Sequence, residues 1–420
     1  MSSLFPQRLL AFIASLGSAK AAPDLSARLE SAGEAPSGRF RVRRSVDRDE
    51  IRAWWASAQH PGEAALADDA ALAFLEHCNG NIENPIGTVS LPVGVAGPLA
   101  VNGLHANGRY LLPLATSEAA LVASYARGSE AINRAGGVSA ALLGEGVLRA
   151  PAFVFETIGE AGSFVAWLTE HEDALRAAAK ATTRHGKLEE IEPRIDADTV
   201  LLVCRYSTGD ASGQNMVTIA TEAMCQWIIA NTPVPPCRWF IEGNFSGDKK
   251  ASYLGLINGR GKKVSASVVL PESVIRQVLR TTPEDMLAYA RVAQLGATLS
   301  GQIGAQGHVA NGLAALFIAT GQDAACVAES AVGFTRMEPR EDGLFMSLTL
   351  PNLMVGTVGG GTGLPHQKAA LDLMGLSGTG HARAFAEVTA GLCLAGEISI
   401  MAAIASGVFT SAHHKLARTR

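Results

Sequence analysis

The stretch TVLLVCRYSTGDASGQNMVTIATEAMCQWIIA, residues 199–230, decides the fold. Thr199 to Tyr206 reads as a strand and Asn215 to Ala230 as a helix, with a glycine-rich turn around Asp210 between them. The same order stands just upstream, where Ala152 to Thr157 reads as a strand and Phe164 to Ala181 as a helix. Such alternation between Pro151 and Trp239 predicts a small α+β unit inserted into a larger domain. The fold class expected for the whole chain is therefore α+β.

Working outward, Asp49 to Cys78 places Ile51, Trp54, Trp55, Ala65, Leu66, Ala70, Leu72, Phe74 and Leu75 at spacings that suit amphipathic helices, with Gly80 as a stop. Residues 20–48 are rich in Ala, Ser, Pro and Arg and read as a loosely packed lead-in. Thr88 to Val101 reads as extended chain and turns, and Ser117 to Arg134 as a helix ended by Gly136-Gly137. After Lys250 the expectation is a hairpin through Asn258-Gly259, a strand from Val264 to Leu270, and helices up to Ser330. A strand from Leu344 to Leu350 then runs into a glycine cluster, and helices fill the rest.

Bulk properties exclude several classes. With 420 residues, 48% of them apolar and 18% charged, the chain can bury two or three domains. A net charge of −4 without a basic run gives no footprint for nucleic acid. The run Leu9 to Ala14 after Arg8 loosely imitates a secretory leader but is cut short by Ser15, and a helical arm is the preferred reading. No window is expected to reach the roughly 20 apolar residues that cross a bilayer, so no membrane role is expected. The six cysteines (Cys78, Cys204, Cys225, Cys237, Cys326, Cys393) form no C-x-x-C pair, so neither a metal site nor a disulfide framework is expected, and the expected compartment is the cytoplasm.

Several segments carry candidate chemistry, each with a plainer alternative. Gly356 to Gly363 is either a backbone cradle for an anionic ligand ahead of a helix or a flexible turn. It lacks the G-x-G-x-x-G spacing of a Rossmann fold. Gly209 to Met216 is either a nucleotide surface or an Asp-containing turn with a helix cap. Glu118 is expected in the first turn of its helix, Asp323 as the cap of a short one, Lys249 on a loop, and His413 near the C-terminus.

Taken together these segments are less ordinary. ENPIG (83–87), PVGVAGPL (92–99), ATSEAALVAS (115–124), GDASGQNM (209–216), GDKK (247–250), GRGKKV (259–264), GHVAN (307–311), GQDAA (321–325), GTVGGGT (356–362) and AGEISIMAA (395–403) occur in order from Glu83 to Arg418. In them the chain resembles the class I type of 3-hydroxy-3-methylglutaryl-coenzyme A (HMG-CoA) reductase. The resemblance implies a helical N-terminal region over residues 1–82. It further implies a large catalytic and CoA-binding domain split as 83–154 and 241–420 with a C-terminal flap, and a nucleotide domain inserted at 155–240.

The resemblance also assigns roles residue by residue. Glu118, Lys249, Asp323 and His413 match the family's catalytic set. Asp210, Gly213, Asn215 and Met216 match the nicotinamide nucleotide site, with Gly359 and Gly360 in the glycine cradle. Arg184 falls where the family contacts an adenosine 2′-phosphate, so NADPH is the expected cofactor and NADH the alternative. Ser124 and Arg127 match positions near the coenzyme A phosphates, and Asn244, Asp248, Lys250, His308 and Asn311 complete the expected substrate set. The GHVAN segment carries Gln306-Gly307 where the family has Asn-Ala. No metal is implied, and the family's placement of active sites between subunits implies a homodimer or higher homo-oligomer.

The implied chemistry is the four-electron reduction of an acyl-CoA thioester to an alcohol, HMG-CoA to mevalonate. Lys249 would stabilise negative charge building on oxygen, Asp323 would hold Lys249 and couple to Glu118, Glu118 would protonate the aldehyde oxygen, and His413 the departing thiolate. Two departures bear on the acyl group. Val154 stands where the family usually has an arginine facing the acyl pocket, and Glu242 where it has a serine contacting the substrate carboxylate. They leave open a reductase of a different thioester on the same scaffold; a non-catalytic acyl-CoA binder is the third reading. Pro85 replaces an aliphatic residue in the ENPIG segment.

Overall fold

The computed structural model describes residues 46–58 and 61–407, with a few isolated positions ahead of them. Most of the expected helical arm and lead-in, and the segment holding His413, lie outside the described residues. Helices α1 (Arg48–Ala58), α2 (Glu63–Leu66) and α3 (Asp69–Leu75) follow the amphipathic pattern of the sequence. Asp68 caps α3 by accepting from the Ala71 amide. Ile51, Trp55, Leu72, Leu75 and Cys78 pack into a small core of their own, and the Trp55 indole donates to the Ile86 carbonyl at 2.7 Å.

Ten strands follow: β1 (Val93–Gly103), β2 (Asn107–Ala115), β3 (Val138–Arg149), β4 (Ala152–Val154), β5 (Lys187–Asp196), β6 (Thr199–Ser207), β7 (Arg238–Phe240), β8 (Gly261–Pro271), β9 (Phe334–Arg340) and β10 (Gly343–Leu353). The main path runs β7-β4-β6-β3-β8-β10-β9, with β1 between β2 and β3, and β5 beside β6. Among the pairings between these described strands, β1–β3 is the parallel one, and the others are antiparallel. β3 joins two halves of the sheet: Ser139 to Gly146 pair with β8, whereas Val147 to Arg149 pair with β6. Its last three residues therefore carry the chain into the β4–β7 half.

The helices are α4 (Leu121–Arg134), α5 (Ile158–Glu170), α6 (Glu172–Lys180), α7 (Gln214–Asn231), α8 (Tyr253–Asn258), α9 (Pro283–Ser300), α10 (Val309–Thr320), α11 (Val327–Ser330), α12 (Pro365–Met374) and α13 (Ala382–Ala405). α13 is the axis of the main core. By length and composition it is apolar enough to cross a membrane, which corrects the expectation that no segment would be, but 83% of its apolar window is buried inside the protein. An all-round apolar helix is what a fully enclosed position requires. α4 crosses it at Gly128, where a Cβ would come within 1.9 Å of the Ala395 oxygen.

Two carboxylates interrupt α13, and both are fully buried. Glu387 accepts from the amides of His105, Ala106 and Leu142. Glu397 accepts from the amides of Gly307 and His308 and from the Thr335 hydroxyl at 2.7–2.8 Å. At both positions N–H and O–H donors of the protein replace the water that the carboxyl groups lose on burial.

Three further details correct the sequence reading. The helix expected from Ser117 begins at Leu121, because Ala120 adopts φ 69 and breaks the helical run before it. Asn258-Gly259 is no hairpin: Ser252 caps α8 through the Gly255 amide, and Gly259 at φ 72 ends it. Strand β5 has a charged sequence (KLEEIEPRID) that hides its β pattern, and it pairs with β6 through a turn where Ala197 takes φ 52.

Candidate active site

Lys249 lies on the loop that leaves β7, and its place is set from below by buried charge. Arg149, at the end of β3, donates to Asp248 Oδ2 at 3.0 Å and reaches Glu242 at 3.5 Å. Arg260 donates to Asp248 Oδ1 at 2.9 Å and to Glu329 on α11. The Arg260 and Glu329 side chains are each 1% exposed. Burial opposes ionisation of Asp248, but the two arginines outweigh it and hold its carboxyl below the usual range. Both Asp248 oxygens are thus turned inward onto guanidinium groups.

On this base Lys249 adopts φ 57, and its amide donates to Glu329 at 3.1 Å. The side chain points away from the network, with Nζ 3.0 Å from Asp323 Oδ2 and both side chains about two-fifths exposed. The hydrogen bond that Lys249 donates to Asp323 raises the Lys249 pKa, against the smaller opposing effect of burial. Asp323 also caps the turn at Ala324–Cys326, accepting from the Ala325 amide at 3.0 Å. The ammonium is therefore fixed, charged and open to solvent. Lys250 sends its Nζ to the Asp248 carbonyl at 2.8 Å, and exposed Asn244 holds φ 60 in the same loop.

A separate cleft of about 420 Å³ collects Glu118, Ser124, Arg127, His308 and Asn311, with Ile400 and Ile404 of α13 on its far side. Ser124 donates to the Ser399 hydroxyl, and Arg127 donates to both the Ser399 hydroxyl and carbonyl. Burial lowers the Arg127 pKa, and the nearby charge of Arg280 adds to it. His308 is held through Nε2 by the Gly396 carbonyl at 2.8 Å and stacks on Tyr125. Glu118 is exposed, and its amide donates to Thr116 Oγ1 at 2.9 Å. Among the described residues no hydrogen bond or ion pair joins Glu118 to Lys249 or Asp323.

The glycine segments meet beside Asp323. Ala211 and Val358 form a parallel bridge, and the Thr357 amide donates to the Asp210 carbonyl at 2.8 Å. Gly321 lies so close to Gly361 that a Cβ on it would approach the Gly361 oxygen to 2.4 Å. Gly359 and Gly360 have positive φ, and the space where their Cβ atoms would stand is open. Gly213, at φ 77, precedes α7, whose N-terminal amides from Gln214 to Met216 have no side-chain cap. An 18-residue helix with an uncapped N-terminus beside an open glycine cradle suits a pyrophosphate. Met216 touches the loop of exposed Arg184, since a Cβ on Gly186 would lie 3.3 Å from the Met216 sulfur. Asp210 spends its carboxylate on the amides of Gly380 and Ala382, which caps α13.

The sequence reading passed over the groups that set this geometry: Arg149, Arg260, Glu329 and Ser399, and also Arg280 beside Arg127. Arg260 lies inside the quoted GRGKKV motif, so it was visible as text but not as a buried partner. All six cysteines are free, five of them buried and Cys237 exposed.

Comparison with known proteins gives the family. The family model for hydroxymethylglutaryl-coenzyme A reductase matches residues 48–418. The chain is 44% identical to the 3-hydroxy-3-methylglutaryl-coenzyme A reductase of Methanothermobacter thermautotrophicus over 340 residues, covering 80% of this chain and 85% of that one. It is 44% identical to the enzyme of the same name from Aeropyrum pernix over 353 residues, covering 83% and 84%. The fold is similar to a class II 3-hydroxy-3-methylglutaryl-CoA reductase from Streptococcus pneumoniae bound to NADPH, with a TM-score of 0.64 at 20% identity, over 85% of this chain and 96% of that one. The resemblance read from the ten motifs is borne out: this chain belongs to the hydroxymethylglutaryl-coenzyme A reductase family.

Proposed function

We propose that the protein reduces HMG-CoA to mevalonate and free coenzyme A with two NADPH. The observation that carries this reading is the Lys249–Asp323 pair, fixed over a buried charge network and set beside an open glycine cradle. NADPH supplies one hydride to each of two successive reductions. Lys249 is placed to donate to the oxygen on which charge develops, and Asp323 keeps it protonated and aimed. In the Glu118 cleft Arg127 offers the coenzyme A phosphates a cation and Ser124 a hydroxyl, and the charge of Arg280 lies near Arg127. His413, outside the described residues, is assigned the protonation of the departing thiolate.

Glu118 needs a second copy of the chain to meet Lys249. A second cavity beside Glu118 is lined by Leu91, Thr116 and Asn311, and Val89, Leu91, Val93 and Val95 are exposed apolar residues near it. A homodimer that buries these residues would bring Glu118 of one copy to Lys249 of the other. The unit from residue 155 to 240 is the nucleotide domain in this reading, joined to the rest through β3. We place the protein in the cytoplasm on its six free thiols and its buried α13.

Glu242 bears on the alternative substrate. Its carboxylate sits beside Arg149 and accepts from the Phe245 amide, so it adds no unpaired negative charge to the acyl site. This favours HMG-CoA over a thioester without a carboxylate. The test is stoichiometry: two NADPH oxidised for each thiol released from HMG-CoA, where a ratio near one refutes the four-electron reaction.

A further inference from the structure

The two arginines that hold Asp248 beneath Lys249 share a second partner, Gln214. Arg149 sends Nη1 to Asp248 Oδ2 and Nη2 to the Gln214 carbonyl at 3.4 Å. Arg260 donates through Nη2 to Asp248 Oδ1 at 2.9 Å and to Gln214 Oε1 at 3.4 Å. The other end of the same side chain, Gln214 Nε2, donates to the Cys326 sulfur at 2.8 Å. Cys326 is fully buried in the short turn that Asp323 caps, and its amide donates to the Asp323 carbonyl at 3.0 Å. Burial pushes the Cys326 thiol up, so at neutral pH the sulfur is an uncharged, weak acceptor.

The amide is suited to this place. A guanidinium only donates, so the oxygen of Gln214 must face Arg260, which turns the nitrogen to Cys326. One side chain thus reaches both halves of the Lys249–Asp323 pair, the lysine through Arg260 and Asp248 and the acid through Cys326. Gln214 is also the first residue of α7, directly after Gly213 at φ 77, where the helix amides face the glycine cradle.

We propose that Gln214 is a positioning residue that keeps Lys249 and Asp323 in register and ties that register to the nucleotide end of α7. Any shift of the first turn of α7 then moves the supports of the lysine and of its acid together. The pair stays matched while one nucleotide leaves and the next enters between the two reductions. The assignment rests on the reductase reading and adds how its cation is aimed.

The test uses the full-length enzyme with HMG-CoA and NADPH, a pH profile of kcat, and a separate titration of NADPH binding. Lys249 faces Asp323 and Cys326 from the turn, Glu329 from α11 and Asp248 from its own loop, so a looser turn weakens the contact that raises its pKa most. Gln214→Met keeps the side-chain length, loses both polar ends, and should lower kcat by about tenfold. It should also move the alkaline limb of kcat to lower pH and leave the Kd for NADPH nearly unchanged. Cys326→Ala cuts the link to the acid alone and should move the limb the same way with a smaller loss of kcat. A wild-type limb and kcat in Gln214→Met overturn the assignment. So does a loss confined to NADPH affinity, which would make Gln214 a nucleotide contact. If Gln214→Met fails to fold, Cys326→Ala decides, and an unmoved limb there overturns the assignment. A wild-type enzyme inert toward HMG-CoA overturns the reductase reading itself, and the assignment with it.

Discussion

Lys249 is anchored to two acids at once: its Nζ stands 3.0 Å from Asp323, and its amide donates to buried Glu329 at 3.1 Å. The left-handed backbone that permits both contacts costs a lysine about 1–2 kcal/mol. Salt bridges from Asp248 to Arg149 and Arg260 hold the loop against that strain. The same fixation spares the ammonium from reorganising when charge develops on a substrate oxygen.

The raised pKa of Lys249 gives a pH prediction with a definite sign. Asp323 holds the pKa above 10.5, so the cation is complete at neutral pH and is lost only as pH rises through the raised value. Asp323→Asn should move the alkaline limb of kcat to lower pH and reduce kcat by about a hundredfold or more. Lys249→Ala should abolish turnover while nucleotide binding survives. A limb that stays in place would remove Asp323 as the group that tunes Lys249.

Shared sites predict complementation. Glu118→Gln and Lys249→Ala should each be inactive alone. Subunits mixed and reassembled should recover about a quarter of wild-type activity, because half the dimers are mixed and each restores one of two sites. No recovery in verified mixed dimers would place Glu118 and Lys249 in the same copy.

Arg184 is exposed, and no hydrogen bond of its guanidinium to a described residue competes for a phosphate. Arg184→Ala should lower the NADPH over NADH ratio of kcat/KM by about tenfold to a hundredfold, the value of one charge-assisted contact of about 1.5–3 kcal/mol. A constant ratio would assign nucleotide selection to another residue.

If His413 protonates the leaving thiolate, the two half-reactions should separate. His413→Gln should slow HMG-CoA reduction by about a hundredfold or more and spare reduction of free mevaldehyde. Equal losses on both would take the thiolate role away from it.

The charge network under Lys249 is also a stability element. Arg260→Met leaves buried Glu329 without its counter-charge and Asp248 with one arginine instead of two, and should destabilise the fold by about 3–5 kcal/mol. Denaturant unfolding measures this directly. Adding Glu329→Leu should recover part of the loss, since the stranded charge is then removed too.

Much of this protein was legible before any tertiary contact. Glycine runs, the lysine of GDKK and the acid of GQDAA are local signals, because a backbone cradle or a loop cation depends on residue type and near neighbours. The alternation from Pro151 to Trp239 likewise revealed the strands and helices around α7, since periodicity is a local property. Signals failed where charge masked the period, as in β5, or where one residue's φ moved a boundary, as Ala120 did for α4.

Tertiary structure alone decided which of these groups meet. It carried Asp323 to Lys249, buried Arg260 between Asp248 and Glu329, and turned Asp210 into the cap of α13. It enclosed an apolar helix of membrane-spanning length in the core. The reason is physical: residue type and spacing fix what a segment prefers, whereas pairing across β3 and packing on α13 depend on sequence-distant partners that no single segment encodes.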